Sequence, residues 1–446
     1  MNVANDEPAA HSDDLDADVF FDHVAASVRS ARPARFQIPA GTSLATTPLA
    51  TVEDIFHILC RAGDAWRGNR GLNFGMWLDG AFPMDCAALF ARADDGDFEG
   101  FIERVTAPRG TREFCWAQYH AQVFSFNVWR RALGFLAPVL ARVGWPTGEV
   151  DIDVFAGRYQ RTPRGIHTDS AHTFMYVVQG PKTLAFWPDG YFEGRGVHIS
   201  GARPQRTLVG VDPQPFLADA VVLTATSGEL LSWPASFWHI GLHERGAGPT
   251  AALNMGLFER QAKDAILMDV LHELLDGVLS RQQPAPQDRA PCLQTMAARV
   301  PPEEAQGIET LSALLDQGWI EKLVHTRWLQ RISARGFHHV PAPEEHVPCP
   351  GGRARLRDAF MPIVWHRFDE SMVISSNGHF TRTAYHPALE MTLQRLNSGD
   401  ALALESSDRA ADGLRAQVAE MLSLLVAWRA ITWEPESSVT DGDPRE

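Results

Sequence analysis

The segment "IHTDSAHTFMYVVQGPKTLAFW", residues 166–187, decides the fold, because its strand-like apolar runs carry three polar groups that such runs seldom bury. In an extended segment successive side chains point to opposite faces, so His167 and Asp169 point to the same side. Lys182 follows fifteen residues after His167, on the next apolar run. An isolated charge in an apolar strand is costly without a partner. The segment therefore predicts two strands whose shared interior face carries polar chemistry.

Short runs rich in Val, Phe, Thr and Trp continue on both sides of this segment, from about residue 150 to 260. They are "EVDIDVFAG", "TFMYVVQG", "KTLAFWP", "AVVLTAT", "ELLSWP" and "TAALNMGLF", separated by Gly, Pro and Asp. Short strands at a spacing of about 8–12 residues are typical of a β-sandwich or β-barrel. Residues 150–260 are therefore predicted to form a β-barrel domain.

A third candidate ligand comes from "GELLSWPASFWHIGLH", residues 228–243, which places His239 72 residues beyond His167. A ferrous ion that must also bind a co-substrate and oxygen needs few protein ligands, and two imidazoles with one carboxylate meet that need. We interpret His167, Asp169 and His239 as candidate iron ligands, with ordinary packing as the alternative. His243 is the main competitor of His239 for the third position.

Lys182 and Asn254 are candidates for binding a co-substrate. If the metal binds a 2-oxo acid, the far carboxylate of that acid needs a cation at the base of the cavity, and Lys182 would supply it. The alternative is a lysine on an edge strand that extends to solvent. Asn254, in "TAALNMGLF", can reach a bound ligand through its amide, unless that amide only satisfies backbone groups.

Together these residues resemble the JmjC family. The resemblance rests on His167-x-Asp169, Phe174, the Gly180-Pro181-Lys182 turn, the following "AFWP", the "PASFWH" around His239, and Asn254 fifteen residues after His239. In the hydroxylase branch of that family the lysine and the asparagine stand at these same distances from the first and the distal histidine, and the lysine binds the far carboxylate of 2-oxoglutarate.

The resemblance covers residues 150–260, about a quarter of the chain, and implies a double-stranded β-helix, a form of jelly roll. It further implies Fe(II) at the open end of the barrel, with 2-oxoglutarate and O2 as co-substrates. By this resemblance His167, Asp169 and His239 are the metal ligands, and Lys182 and Asn254 contact 2-oxoglutarate.

Arginines and tryptophans near the motif are the candidate substrate contacts. Some asparaginyl hydroxylases of the family have a threonine three residues before the first histidine that touches 2-oxoglutarate, whereas this chain has Arg164. Arg158, Arg161 and Arg164 lie three apart and form either a solvated loop or a mouth that attracts an acidic substrate. We take Arg158 and Arg164 as candidates, and also Trp187 and Trp238, whose alternative role is barrel core.

The flanking regions predict an α+β protein with several parts. These are an acidic disordered tail at 1–33 that runs into a short helix, a helical extension at 34–149, the barrel at 150–260, a helical region at 261–340, a small unit at 352–433 and a disordered tail at 434–446. Asn377-Gly378 between two alternating runs predicts a β-hairpin. With the helix that follows, the hairpin suggests a winged-helix-like unit. The whole C-terminal part loosely resembles bacterial ribosomal-protein hydroxylases of the JmjC family, and dimerisation through 261–340 is one interpretation of it.

Composition excludes several classes of protein. The chain has 446 residues and a formal net charge of −15, which disfavours general binding to nucleic acid or to an anionic membrane. It has no uninterrupted apolar run of about 18 residues. The first residues are acidic where a secretion signal is basic and apolar, so we expect a cytoplasmic protein. Five widely spaced cysteines without a CxxC pair predict neither a disulfide framework nor a structural zinc site.

Three classes of function remain open at this point. The first is an Fe(II)- and 2-oxoglutarate-dependent dioxygenase that hydroxylates an unactivated C–H bond of a peptide or protein side chain. The second is a small-molecule or free amino-acid oxygenase of secondary metabolism. The third is a non-catalytic scaffold or regulatory binding module. Lysine demethylation is disfavoured, because the spacing of the motif is closer to that of the hydroxylases.

Overall fold

The computed structural model describes residues 17–40, 43–68, 71, 73–107, 110, 113–244, 248–259, 266–279, 309, 312–345, 349, 352–404 and 413–435. The chain divides into two compact units, Met1–Glu259 with Phe337–Pro341, and Arg260–Gly336 with Ala342–Glu446. Much of each predicted disordered tail, residues 1–16 and 436–446, lies outside the described residues.

The first unit begins with alternating helices and strands and continues as a run of strands. Its elements are α1 (Ala17–Ser30), β1 (Ala34–Gln37), α2 (Ser43–Thr46), α3 (Val52–Arg67), β2 (Phe74–Leu78), α4 (Phe98–Thr106), β3 (Phe114–Gln118), α5 (Phe126–Val143), β4 (Val150–Arg158), β5 (Ala171–Gln179), β6 (Lys182–Trp187), β7 (Ile199–Ala202), β8 (Gln205–Leu208), β9 (Val221–Ala225), β10 (Glu229–Trp233), β11 (Trp238–Leu242) and β12 (Thr250–Phe258).

Two antiparallel sheets form the barrel. The larger sheet has the order β1-β10-β5-β12-β4-β3-β2, and the smaller one the order β11-β6-β9. Apolar side chains of both sheets pack into one buried cluster, which includes Met175 of β5, Phe186 of β6 and Trp233 of β10. Strands that alternate between two facing sheets in this order form a double-stranded β-helix, so the predicted α+β fold with a jelly-roll core is confirmed.

The segment that contains the His-x-Asp motif completes the smaller sheet. His167 forms isolated antiparallel bridges with Thr207 and with His239 of β11, although the segment is too short to count as a strand. The larger sheet provides β4 and β12 on the other side of the interior. Residues close together in space at this end of the barrel are therefore far apart along the chain.

The region 34–149, predicted to be a helical extension, contains helices but also three strands of the larger sheet. Strand β1 pairs with β10, and β3 pairs with β4 and with β2. Without them β10 and β4 would be edge strands with unpaired backbone N–H and C=O groups, which native sheets avoid exposing. The aromatic runs "FGMWL" and "FCWAQ" are the sequence signal of β2 and β3.

The second unit combines helices with two small antiparallel sheets. Its elements are α6 (Ile266–Leu279), α7 (Trp319–Ser333), β13 (Gly352–Leu356), β14 (Val364–Phe368), β15 (Ser371–Ser376), β16 (His379–Ala384), α8 (Pro387–Asn397), β17 (Leu402–Leu404), α9 (Gly413–Ala427) and β18 (Ile431–Pro435). The sheets have the orders β14-β15-β16 and β17-β13-β18.

The β15–β16 hairpin confirms the turn read from Asn377-Gly378. Both residues have positive φ, 53° and 80°, as a two-residue hairpin turn requires. Helix α8 presents Leu389, Leu393 and Leu396 at helical spacing to a core of its own unit. The winged-helix-like character of this region stays a prediction. No helix in the described part of the chain is both long and apolar enough to cross a membrane.

Candidate metal centre and active site

His167 and His239 are fixed next to each other by the backbone. The N–H of His167 donates to the carbonyl of His239 over 3.0 Å, and the N–H of His239 donates to the carbonyl of His167 over 2.8 Å. Two residues that exchange both bonds are direct neighbours across an antiparallel pair, with side chains on the same face. Their ring centroids are 4.3 Å apart.

Backbone carbonyls also decide which ring nitrogen of each histidine is available. Nδ1 of His167 lies 2.8 Å from the carbonyl oxygen of Gly165, and Nδ1 of His239 lies 3.3 Å from that of Phe237. A carbonyl oxygen only accepts, so each Nδ1 carries the proton and donates. Each Nε2 therefore keeps its lone pair, and this arrangement orients a metal-binding imidazole.

Asp169 brings its carboxylate to both Nε2 atoms. Oδ1 lies 3.7 Å from Nε2 of His167, and Oδ2 lies 3.3 Å from Nε2 of His239. One ligand atom from each of the three residues falls within 4.8 Å of the others. Two imidazole nitrogens and a carboxylate oxygen at this spacing fit one divalent ion and leave part of its coordination sphere open.

The charge states of His167 and Asp169 suit a metal ion. Burial, and then neighbouring His239, lower the pKa of His167 to about 3, so its imidazole is neutral near pH 7. Burial alone would raise the pKa of Asp169, but His239, His167 and Arg164 outweigh it and hold that pKa below its ordinary value. The centre thus offers a neutral imidazole at His167 and an ionised carboxylate at Asp169.

Lys182, the first residue of β6, lies buried in the same cavity. It is 2% exposed, its Nζ donates to the hydroxyl oxygen of Tyr159 over 2.8 Å, and burial lowers its pKa to about 8. No carboxylate within the described residues forms an ion pair with it. The site therefore holds a buried ammonium group that an anionic ligand would stabilise.

Asn254 also lines this cavity. It is 8% exposed and lies on β12 directly opposite Asp153 of β4. Its Oδ1 is buried and has no hydrogen-bond partner among the described residues. A buried amide oxygen without a donor is costly in a folded protein, and a hydrogen-bond donor placed beside it would remove that cost.

The cavity that joins these groups has a volume of about 430 Å³. This volume falls in the range usual for small-molecule sites and can hold a five-carbon dicarboxylate together with part of a substrate. Besides the metal-ligand triad, Lys182 and Asn254, its polar lining includes Tyr119, His120, Glu149, Asp151, Asp153, Tyr159, Arg164 and His243.

Three predicted substrate contacts lie elsewhere. Arg158 does not line the cavity, and its Nη2 donates to Oγ1 of Thr106 over 2.8 Å. Trp187 and Trp238 are completely buried in an apolar cluster. They face each other across β6 and β11, one residue beyond the neighbouring pair Phe186 and His239. Because strand side chains alternate, a residue next to the inward-facing His239 points to the opposite face.

Arg164 and His243 do line the cavity. Arg164 is exposed and close enough to Asp169 to lower the pKa of that carboxyl group, whereas Arg161 pairs with Asp212 over 2.8 Å. The ring centroid of His243 lies 4.7 Å from that of Tyr159, and His243 is not part of the metal-ligand cluster. His239, not His243, is therefore the histidine that joins His167 and Asp169.

The sequence reasoning missed Tyr159, Asp151 and Asp153. Both aspartates belong to "EVDIDVFAG", whose alternation of acidic and apolar residues places the acids on one face of a strand. That alternation was the available signal. Tyr159, directly after β4, had no distinctive spacing, and only the tertiary contact with Lys182 reveals its place.

Comparisons with known proteins give structural likenesses at low identity. No protein-family model matches the chain, and no curated protein matches it. Among solved structures, E. coli ycfD is 13% identical with a TM-score of 0.45, over 90% of this chain and 95% of that one. YcfD, a ribosomal oxygenase from Escherichia coli, in complex with cobalt and 2-oxoglutarate, is 16% identical with a TM-score of 0.35, over 72% of this chain and 78% of that one.

A third similar structure is SnoN, a non-heme α-ketoglutarate-dependent epimerase from nogalamycin biosynthesis. It is 11% identical with a TM-score of 0.29, over 54% of this chain and 83% of that one. At these identities and TM-scores the assignment of the site rests on the geometry of this chain's own residues.

Proposed function

We propose that this protein is an Fe(II)- and 2-oxoglutarate-dependent dioxygenase that hydroxylates an unactivated C–H bond on a peptide or protein side chain. The observation that carries the proposal is that His167, Asp169 and His239 face the same cavity as Lys182, which is buried and forms no ion pair with any carboxylate among the described residues. A metal centre and a cation deep in one pocket match a ligand that is both a chelator and a dianion.

The ligand set supports iron with open coordination positions. Nε2 of His167, Nε2 of His239 and a carboxylate oxygen of Asp169 would hold the ion, since these atoms converge within 4.8 Å. When bound, iron supplies the redox chemistry, in which O2 and 2-oxoglutarate give succinate and carbon dioxide while a substrate C–H becomes C–OH. The protein contributes ligand orientation through the Gly165 and Phe237 carbonyls.

Lys182 and Tyr159 would bind the far carboxylate of 2-oxoglutarate. The ammonium of Lys182 contacts the Tyr159 oxygen at 2.8 Å, and the Tyr159 hydroxyl also hydrogen-bonds the side chain of Thr250, so a bound carboxylate would compete with Thr250 for the tyrosine proton. A carboxylate placed there accepts from both groups and restores a charge partner to the lysine. This ion pair is buried, and buried charge-assisted hydrogen bonds are the stronger kind.

A macromolecular substrate is supported by the second unit. That unit has its own buried core around Leu389, Leu393 and Leu425, separate from the barrel that contains the site. Chemistry on a small metabolite does not require such a unit. A small-molecule or free amino-acid oxygenase remains the second candidate, because the cavity itself accommodates either kind of substrate.

Anaerobic reconstitution tests the metal centre directly. Adding Fe(II) and 2-oxoglutarate to the wild-type protein should produce the weak visible charge-transfer absorption of a chelated 2-oxo acid. Asp169→Ala should abolish it, whereas Asp212→Ala, a change at an exposed carboxylate paired with Arg161, should leave it intact. Absence of the band from wild type would favour a non-catalytic scaffold.

The substrate class is tested by succinate release. Under air, Fe(II), 2-oxoglutarate and peptide pools should raise succinate production above the substrate-free rate, with a mass increase of one oxygen on a peptide. If free amino acids or metabolites, but not peptides, stimulate succinate release, the protein is the small-molecule oxygenase of the second candidate function. The assignment of the metal centre would be unaffected.

A further inference from the structure

The metal-ligand segment, residues 166–169, lies between two strands. On one side it pairs with β11, through the two backbone bonds that His167 and His239 exchange. On the other side it pairs with β8, where the N–H of Thr168 donates to the carbonyl of Arg206 over 2.9 Å. Strands β7 and β8 form a hairpin, a two-stranded sheet of their own. The position of two metal ligands therefore depends on what fixes this hairpin.

Thr168 lies between the two ligands of the segment and is completely buried. Because side chains of an extended segment alternate, it points away from the face of His167 and Asp169. Its Oγ1 donates to the carbonyl of Pro204 over 2.5 Å and accepts from the N–H of Arg206 over 3.0 Å. One hydroxyl thus uses its proton and a lone pair to join the segment to the beginning of β8.

Arg206 is fixed by ion pairs at the start of the same strand. It is 7% exposed, its Nη1 donates to Oε1 of Glu193 over 2.8 Å, and its Nη2 donates to Oδ1 of Asp189 over 2.6 Å. Both acids belong to the connection between β6 and β7, and Arg203 also pairs with Asp189 over 2.7 Å. Charge-assisted bonds from both ends of the guanidinium fix its orientation, and with it the position of β8.

The same guanidinium contacts the strand that carries the third ligand. Its central carbon lies 4.5 Å from the centroid of the Trp238 ring, which is a cation–π contact. Trp238 directly precedes His239 and is completely buried on the face away from the cavity. Strand β8 therefore supports both of the segments that bring the three ligands together, and it does so from outside the cavity.

This support matters because a metal site needs its ligands within about 0.5 Å of the binding geometry. Rotation of the backbone at residue 168 would turn His167 and Asp169 together, since the residue lies between them. The two hydrogen bonds of the Thr168 hydroxyl oppose that rotation. Thr168 itself lies outside the cavity lining, so its effect on an ion must pass through its two neighbours.

We infer that Thr168 is a positioning residue of the metal centre, and that it acts through the β7–β8 hairpin, which Arg206 fixes. The inference rests on the proposed function for the presence of an ion, whereas the bonds of the hydroxyl stand on this chain's own contacts. Loss of the hydroxyl loosens two ligands without removing either of them.

The affinity for Mn(II) tests the inference. The ion is titrated by EPR into the full-length wild type, Thr168→Val and Thr168→Ser. Valine keeps the shape and removes the hydroxyl, so the Kd for Mn(II) should rise about tenfold or more, as is usual when a partner behind a metal ligand is lost. Serine restores the hydroxyl and should keep the Kd within about threefold of wild type.

Thr326→Val is the matched control. It removes another buried threonine hydroxyl, which donates to the carbonyl of Lys322 over 2.8 Å in the second unit, and it should leave the Kd for Mn(II) unchanged. Arg206→Met removes the ion pairs of β8 and keeps a side chain of similar length. It should raise the Kd about threefold or more, and it decides the question if Thr168→Val does not fold.

Amide hydrogen exchange of the metal-free protein gives a reading that needs no ion. The N–H of His239, which donates to His167, should exchange about tenfold faster in Thr168→Val than in wild type, and at the wild-type rate in Thr168→Ser. The amides of β12, which pairs with β4 and β5, should keep their rates in both variants.

Two results would overturn the inference. One is a Thr168→Val variant with wild-type Mn(II) affinity and a wild-type exchange rate at His239. The other is an equal loss in Thr168→Ser, which would assign the effect to the shape of the side chain and not to its hydroxyl. If the wild type itself binds no Mn(II), the proposed function fails, while the exchange rate of His239 still decides whether Thr168 fixes the segment.

Discussion

At the scale of single residues, two backbone carbonyls determine the chemistry of the candidate centre. Gly165 and Phe237 accept from Nδ1 of His167 and His239, and so leave both Nε2 lone pairs facing Asp169. The His-x-Asp spacing predicted two of these ligands in advance. It did not predict Asp153 or Tyr159, because their importance depends on what they face across the cavity.

Replacing Lys182 with Met should weaken the binding of 2-oxoglutarate without making the folded protein less stable. The change keeps an apolar side chain of similar length and removes the ammonium, so the KM for 2-oxoglutarate should rise about tenfold or more. The free energy of unfolding should stay equal or increase, because the cost of burying a charge disappears. Succinate release at varied 2-oxoglutarate and urea denaturation measure the two effects.

Lys322→Met, the same change on α7 of the second unit, is the control and should leave the KM for 2-oxoglutarate unchanged. If Lys182→Met keeps the wild-type KM for 2-oxoglutarate, Lys182 does not bind the co-substrate.

The pH dependence of Lys182 follows from its pKa, which burial lowers from 10.5 to about 8. Between these values the unfolded chain binds the proton that the folded chain has lost, so this group makes folding more favourable as pH rises through the window. Affinity for 2-oxoglutarate should fall over the same rise, because the ammonium loses its charge.

The chain has three lysines, so side-chain NMR of labelled lysine resolves the titration, and calorimetry follows the affinity. A midpoint near 10.5 without 2-oxoglutarate would contradict the expectation.

At the scale of elements, β4 is the strand on which the cavity depends. It pairs with β12 on one side and β3 on the other, and its alternation places Asp151 and Asp153 inside. Gly157 allows β3 to approach, because it has φ +145° and a Cβ there would lie 2.1 Å from the carbonyl oxygen of Phe114. The sequence shows a glycine near the end of a predicted strand, but it does not show that the backbone of β3 comes close enough to require a glycine there.

Gly157→Ala should therefore destabilise the first unit by roughly 2 kcal/mol or more, through the clash and the unfavourable φ. Gly144→Ala is the comparison, since Gly144 also has positive φ, +88°, but open space around the added carbon. Without a clash, the unfavourable backbone conformation alone should cost about 1 kcal/mol. Guanidinium denaturation of both variants measures the loss in free energy of unfolding. Equal losses in Gly157→Ala and Gly144→Ala would show that the close contact with β3 adds nothing to the cost of the substitution.

At the scale of the whole molecule, the proposed metal site belongs to one of two compact units. His167, Asp169 and His239 all lie in the first unit, as does the rest of the cavity lining. A ligand that binds only the folded state stabilises the part that forms its site. The predicted division into tails, barrel and C-terminal regions did not anticipate that 34–149 shares the barrel's main sheet.

Mn(II) with 2-oxoglutarate should raise the Tm of the first unit and leave the unfolding of the second unchanged. When the free ligand concentration is a hundred times its Kd, the free energy of unfolding of the first unit should rise by about 2.7 kcal/mol. Differential scanning calorimetry of the full chain measures both transitions, and Asp169→Ala should lose the shift. A shift that survives in Asp169→Ala would show that Mn(II) binds elsewhere.

The sequence by itself indicated a β-barrel, the hairpin at Asn377-Gly378 and the pair His167 and Asp169, because these features depend on local alternation, turn chemistry and short-range spacing. The jelly-roll class and the third ligand, His239, 72 residues beyond His167, were expected from the resemblance to the JmjC family. Only the tertiary structure decided that Trp187 and Trp238 face the core and that Tyr159, Asp153 and Asn254 face the cavity. Which face of a strand is inside, and what lies across from it, is set by pairing between segments far apart in the chain.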